Sequence, residues 1–345
     1  MQIIGGSIKG TTVRDGSINF LYSFSTFTFT NGNSIGNTGP TISQLNYSSV
    51  GNSWVSDTNY FSVQTRGIQL WTVPQTASYN ITVAGASGGN NYSGTTGNIG
   101  GAGALLTTTV SLTQGQQLAI VVGQRGGDRS NVNSSGFALT GASGGGGTFV
   151  YDLANVVYYA VAGGGGGAGI ITNNFSGNVQ NARFDSPNGG NVIIGVGVGS
   201  GFYANGGIGG LGGNISTRNT IYGAPGAGIL GYGANIGVSA NIGLAGQGRT
   251  GNWLGGNTGV RTNFASNTLV GGFGGGGSAG IGDNSYTSGM MAGGGGGYSG
   301  GGSGGNSGSS NSANGGGGGS YYAGILVNGV SGANFGNGYV IITKV

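Results

Sequence analysis

The sequence predicts an all-β protein: a β-sandwich carrying a large glycine-rich insertion, with essentially no α-helix. Three observations carry this. Glycine is the commonest residue, at 89 of 345 positions, and each glycine costs a helix about 1 kcal/mol relative to alanine. Short apolar runs alternate with period two and are separated by turn residues, with no helical periodicity between them. The C-terminal run 338–345 returns to strand-like sequence after the glycine-rich stretch. The simplest topology pairs that last strand back into the first sheet, so that the glycine-rich part enters and leaves side by side.

Along the chain, Phe20, Tyr22 and Phe24 share one parity and Phe27 and Phe29 the other, which predicts a strand with a bulge near Ser25 and Thr26. Further strands are expected over 60–64, 68–73, 79–85, 105–112, 117–122, 149–151, 156–162, 325–327 and 339–343. Trp71 lies within one of them and is expected in the sandwich core or at its edge. Residues 1–25 are read as an N-terminal arm that could anchor the protein, 26–162 with 321–345 as the sandwich, and 163–320 as the insertion.

Glycine then comes in bursts at 144–147, 163–167, 274–277, 293–297 and 315–319. Such stretches are usually flexible linkers. Here the segment is far longer than a linker needs, apolar residues (192–198, Ile221, Leu230, Leu254, Phe273) punctuate it, and three runs have equal length. These features favour a bundle of extended left-handed glycine helices, polyglycine II, with three residues per turn and about 3.1 Å rise. Only glycine lets such backbones approach closely enough to satisfy each other's peptide groups. The glycines expected to form this lattice are Gly144, Gly145, Gly163, Gly165, Gly167, Gly275, Gly293, Gly295, Gly297, Gly315, Gly317 and Gly319. Collagen is excluded, because a glycine at every third position is missing and only four prolines occur. Matches to Gly-x-Gly-x-x-Gly arise by chance in so glycine-rich a chain, and no helix follows to hold a phosphate.

The charged inventory excludes much chemistry. The chain has no His and no Cys, and its six acids are all Asp, scattered along the sequence. General acid–base and nucleophilic catalysis need a group titrating near neutrality or a base beside the nucleophile. Zinc and most transition metals want imidazole or thiolate, and calcium wants clustered carboxylates. No enzyme activity, cofactor or metal is therefore expected. The ten cations are spread out rather than gathered into a basic face, so nucleic acid is not an expected partner. Arg125 and Arg129 bracket Asp128 and read as a locally neutralised loop. Absence of Cys argues against a disulfide-stapled secreted domain, and neither a signal peptide nor a membrane-length apolar run is evident. Synthesis in a cytosol, followed by assembly there or release by lysis, is the expectation.

Several motifs resemble a known domain. Thr28-Phe-Thr-Asn-Gly-Asn-Ser-Ile-Gly-Asn-Thr-Gly-Pro, Gly67-Ile-Gln-Leu-Trp-Thr-Val-Pro and Tyr79-Asn-Ile-Thr-Val-Ala-Gly-Ala-Ser-Gly-Gly resemble the start of the glycine-rich domain of the anaplastic lymphoma kinase and leukocyte tyrosine kinase receptors. Leu118-Ala-Ile-Val-Val-Gly-Gln-Arg-Gly-Gly-Asp, Gly144-Gly-Gly-Gly-Thr-Phe-Val-Tyr, Ala160-Val-Ala followed by five glycines, and Gly271-Gly-Phe-Gly-Gly-Gly-Gly follow in the same order. The resemblance implies a tumour-necrosis-factor-like jelly roll with an inserted glycine-helix lattice. It does not carry over the receptor's role, because the cysteines, membrane helix and kinase are missing from this sequence. The cysteine-free, Asn-rich form is similar to open reading frames of tailed phages and large viruses, and the lattice to the tip adhesin of some phage tail fibres.

The leading functional expectation is a non-enzymatic structural protein of the virion surface: a fibre, tip adhesin or capsid-associated component. It would present loops for host attachment and partner other virion proteins, a host-surface glycan or protein, and further copies of itself, a trimer among the options. Membrane insertion is not expected. Alternatives are a cellular or secreted ligand-binding module and an ice-binding or matrix protein. Aromatic and cationic residues between glycine runs are the candidate receptor contacts: Arg249, Trp253, Arg261 and Phe264, with Tyr286, Met290, Met291 and Tyr298 behind them. Trp253 has a competing reading as a plug that seals the lattice end.

Overall fold

The computed structural model describes residues 20–47, 51–91, 98–129, 141–169, 181–190, 192–193, 203–215, 223–234, 244–257, 269–280, 291–305 and 313–345. It is all-β. The strands are β1 (Thr26–Phe29), β2 (Phe61–Thr65), β3 (Ile68–Thr72), β4 (Ala77–Ala84), β5 (Gly103–Leu112), β6 (Gln117–Val121), β7 (Thr148–Asp152), β8 (Tyr158–Ala162), β9 (Val192–Ile193), β10 (Tyr203–Ala204), β11 (Tyr321–Tyr322), β12 (Ile325–Asn334) and β13 (Tyr339–Lys344). Among the described residues helix is confined to one α-turn, Ile42–Leu45, and short 3-10 turns.

Two antiparallel sheets face each other. Sheet A has the order β1-β13-β4-β5-β12 and sheet B the order β11-β8-β7-β6-β3-β2. The C-terminal strand does return to the first sheet: β13 lies between β1 and β4, with Ile341 opposite both Thr28 and Thr82. Period-two alternation explains the core. Tyr79, Ile81 and Val83 from β4 and Leu106, Val110 and Leu112 from β5 meet Trp71, Leu118, Ile120 and Val150 of sheet B. Trp71 is fully buried there.

The expected strand over Phe20–Phe29 forms only from Thr26 onward. Before it Tyr22 and Phe24 pack into the mouth of the sandwich instead of lying along a ladder, and Phe20 stays exposed. Leu21 N–H donates to the Pro74 carbonyl (2.9 Å), the Tyr22 hydroxyl donates to the Thr72 carbonyl, Tyr22 stacks on Trp54 (5.2 Å), and Phe24 lies against Trp71 (5.0 Å). Residues 20–25 thus pack on the sandwich, while the rest of the expected arm lies outside the described residues.

The glycine-rich segments form a hydrogen-bonded lattice with a threefold repeat. Gly144 and Gly147 donate to Gly277 and Gly274, Ala142 and Gly145 to Ala168 and Gly165, and Ser143 and Gly146 to Gly127 and Gln124. Consecutive residues therefore address three different neighbours, and residues three apart address the same one, as extended helices of three residues per turn require. Segment 163–168 has five such neighbours. It donates to 86–89 and 293–296, and accepts from 101–104, 142–145 and 315–318. No glycine of the runs 144–147, 163–167, 293–297 or 315–319 adopts a left-handed φ. Gly274 (φ 99°) and Gly275 (φ 83°) do, because they make a turn at a lattice end; Gly275 still accepts from Ala227 N–H (2.8 Å).

The lattice is a direct continuation of the sandwich. β4 runs on into 85–91, β6 into 122–129 and β8 into 163–169, while 98–102 leads into β5 and 141–147 into β7. Five lattice segments thus belong to chain that also builds the sheets, and lattice bonding begins well before residue 163. At the opposite end of the sandwich, Lys344 N–H bonds Ser25 and Val345 N–H bonds Ser78.

At the glycines inside its runs the lattice has no room for a side chain. A Cβ on Gly165 would lie 1.7 Å from the Gly101 carbonyl oxygen, whereas one on Gly231 would meet nothing within 4 Å. Gly165→Ala is expected to cost about 3 kcal/mol or more, and Gly231→Ala under about 0.5 kcal/mol. Urea denaturation of the two variants measures this, and equal midpoints would count against a close-packed lattice.

Candidate functional site

The far face of sheet B is also covered. β7 and β8 project Phe149, Tyr151, Tyr158 and Val161 away from the main core, where they join Leu70, Ala119 and Val121 in a second apolar cluster. Turns of the lattice close over them with Ile229, Trp253 and Phe273. Sheet B is therefore the middle layer of three.

Trp253 follows the 3-10 turn Arg249–Gly251. Asn252 (φ 55°) and Trp253 (φ 61°) are both left-handed, a conformation that costs a residue with a Cβ about 1–2 kcal/mol. Two interactions hold it. The indole stacks on Phe149 at 3.9 Å, and the Trp253 carbonyl accepts from both Gly274 (2.8 Å) and Gly275 (3.1 Å). The strained residue thus ties two lattice turns to the sheet.

Around this plug stands a tyrosine cluster. Tyr298 and Tyr321 stack at 4.9 Å with their planes 20° apart, and both are half-buried. Tyr151 and Tyr158 lie 5.2 Å apart beneath them, and the exposed Arg249 has its guanidinium close to both Tyr151 and Tyr158. Burial pushes the Tyr151 phenol up and the Tyr158 phenol up further, Tyr151 adding to the second shift, while the Arg249 guanidinium opposes both. A stacked aromatic platform beside an exposed guanidinium can hold a sugar ring by its apolar face, or a carboxylate through a bidentate bond.

Of the residues that the sequence singles out as contacts, the structure brings together Arg249, Trp253 and Tyr298. Trp253 and Met291 are both 0% exposed, so neither is available to a receptor: the indole serves as the plug, and Met291 is enclosed in the lattice, where its carbonyl accepts from Gly280. Arg261, Phe264, Tyr286 and Met290 lie outside the described residues. Tyr151, Tyr158 and Tyr321 were not singled out. Their signal was the shared parity of Phe149 and Tyr151, but parity alone does not say that a second layer covers that face.

The Arg125 corner is structural. Arg125 makes a two-pronged ion pair with Asp128 (2.7 and 2.5 Å), Asp128 also accepts from Asn90 N–H (2.6 Å), and Arg129 is buried with a bond to Asn91 (3.1 Å). Three charges there hold lattice segments together. Among the described residues no group of three or more acids gathers as a metal site.

No protein-family model matches the chain, and a search of curated proteins finds no match to its sequence.

Two outcomes follow. Trp253→Ala should lower stability by about 3–5 kcal/mol, measured by denaturant unfolding; an unchanged midpoint would return the indole to the role of a surface contact. Without His, Cys or Glu, stability should be flat from about pH 5 to 9. Above that it should fall, because unfolded tyrosines ionise near their ordinary value of about 10 while burial, partly opposed by bonds to Thr30 and Gln69, holds Tyr47 up to about 12. The unfolded state then binds fewer protons than the folded one, so stability declines as pH rises. Melting temperatures between pH 6 and 11 check the sign.

Proposed function

We propose that this chain is a non-enzymatic structural and attachment protein of a virion surface, a fibre tip or capsid-associated component, whose binding surface is the Tyr298–Tyr321–Arg249 platform. The observation that carries this reading is the coaxial arrangement. The first and last described residues sit at one end of the sandwich, and the lattice projects from the other. Along that axis strand ladders run on into the lattice and its hydrogen bonds, which suits a part that must project from an assembly. The platform accounts for side chains that the lattice itself does not need: an exposed arginine beside Tyr151 and Tyr158, and the stacked pair Tyr298 and Tyr321. The ligand would be a host-surface glycan or an acidic segment of a host protein.

The motif resemblance to receptor glycine-rich domains favours a second reading, a cellular or secreted ligand-binding module. Both readings use the platform, and they differ in where the protein is found. Mass spectrometry of purified particles, together with blocking of particle adsorption by the isolated protein, tests the first. Presence in particles and dose-dependent blocking are expected. Arg249→Ala with Tyr298→Ala should weaken blocking about tenfold or more, about 1.4 kcal/mol per tenfold, with little change in melting temperature. Absence from particles combined with no blocking would overturn the attachment reading.

A further inference from the structure

The outer face of sheet A, opposite the main core, is covered by nothing among the described residues, and the strand register lays it out in rows. One row runs Thr28, Ile341, Thr82, Thr107 and Asn328 across the five strands. The next runs Thr26, Thr343, Asn80, Thr109 and Ile325. The hydroxyls are bonded across strands: Thr26 to Thr343 (2.9 Å), Thr82 to Thr107 (2.8 Å) and Thr109 to Asn80 (2.6 Å). At the β12 edge the aliphatic side chains stand out into solvent, Ile325 by 73%, Val327 by 57% and Val330 by 43%. Strands β1, β4, β5 and β12 carry no charged residue. On β13 the one charge is Lys344, at the strand end and bonded to Gln75 (3.1 Å).

We propose that this face is a self-association surface, the interface of a two-fold dimer in which sheet A of one copy packs on sheet A of another. Three features select a second copy over an unrelated partner. A two-fold interface sets a patch against itself, and any charge near the axis meets its own kind. This face has none to oppose, while threonine and asparagine can each donate and accept and so match an identical set. At the β12 end of the face the exposed Ile325, Val327 and Val330 add an apolar rim that an identical copy can cover. The size also fits. Five strands about 4.8 Å apart, of 4, 6, 8, 10 and 10 residues at about 3.3 Å each, give a footprint of about 600 Å² before corrugation, toward the low end of the roughly 800 Å² per partner of a standard interface. The inference stands apart from the receptor platform, which lies beyond sheet B on the opposite side of the molecule.

Light scattering coupled to size exclusion, on the full chain, decides it. At about 100 µM, a hundredfold above a micromolar Kd, the expected mass approaches twice the 33.4 kDa of one chain. Thr107→Arg places like charges near the axis and should shift the species to monomer, with at least a tenfold weaker association. Val330→Lys at the edge should do the same, and it guards against a fault in folding at the first position. Melting temperatures of the separated variants confirm that each is folded. A wild-type monomer overturns the proposal, including one that dimerises only when residues 1–19 are deleted, since that arm would then be the occupant. A dimer indifferent to both substitutions overturns it equally.

Discussion

Everything in this molecule depends on peptide groups of neighbouring glycine helices satisfying one another at a separation that leaves no space for a Cβ. An extended threefold helix makes no hydrogen bonds within itself, so each N–H and C=O must find a partner on another segment or be left bare. The axes must then lie close. A Cβ on Gly144 would come within 2.0 Å of the Gly294 carbonyl oxygen, and one on Gly295 within 2.1 Å of that of Gly164. Composition follows from this distance. Many of the side chains that the lattice admits are small and bonded: the Ser278 hydroxyl donates to the carbonyls of Leu244 and Asn257, and the Ser143 hydroxyl accepts from Ala279 N–H.

Such a lattice is costly to start, because ordering glycine loses more conformational freedom than ordering any other residue. The sandwich reduces that cost. β4, β6 and β8 leave their ladders with axis and register already fixed, and 98–102 and 141–147 are fixed by the strands that they enter. Later segments are therefore added to a seeded template, each gaining bonds to several neighbours at once. The plug at Trp253 has the same logic from the other side: its carbonyl takes two turn N–H groups while its ring closes the apolar face of sheet B.

The layout of strands was legible in the sequence because β side chains alternate, and a one-residue slip would turn the whole set inside out. The return of 339–344 to the first sheet was legible for a related reason: Val340 and Ile342 are apolar at the right parity and need an inner face. The residues before Thr26 misled. Phe20, Tyr22 and Phe24 alternate like a strand, yet Tyr22 and Phe24 gain as much by plugging the sandwich mouth, and local periodicity does not separate the two outcomes. The candidate site was half legible. Arg249 and Tyr298 stand out among glycines, whereas Tyr151, Tyr158 and Tyr321 sit in strand sequence, and only the tertiary arrangement shows that lattice turns fold onto that face. Trp253 and Met291 stood out equally and are buried, because a large side chain among glycines is as useful for closing a lattice as for contacting a partner.

A structure built this way confines recognition to a few places. Its glycine runs present backbone already bonded to backbone, and the charges of the Arg125–Asp128–Arg129 corner are engaged in holding segments together. Chemistry that distinguishes one partner from another can reside only where the lattice turns or connects, and on the outer faces of the sandwich. Of the described surfaces, the turn end carries aromatic rings and a guanidinium, and the outer face of sheet A carries paired hydroxyls and aliphatic groups. The first suits a foreign molecule, because a charge and a π-face are asymmetric in what they accept. The second suits an identical chain, because its groups accept what they also offer. With only 5% of residues charged, little long-range repulsion holds copies apart, so specificity between these two surfaces rests on short-range fit, and the rigid lattice holds that fit in place.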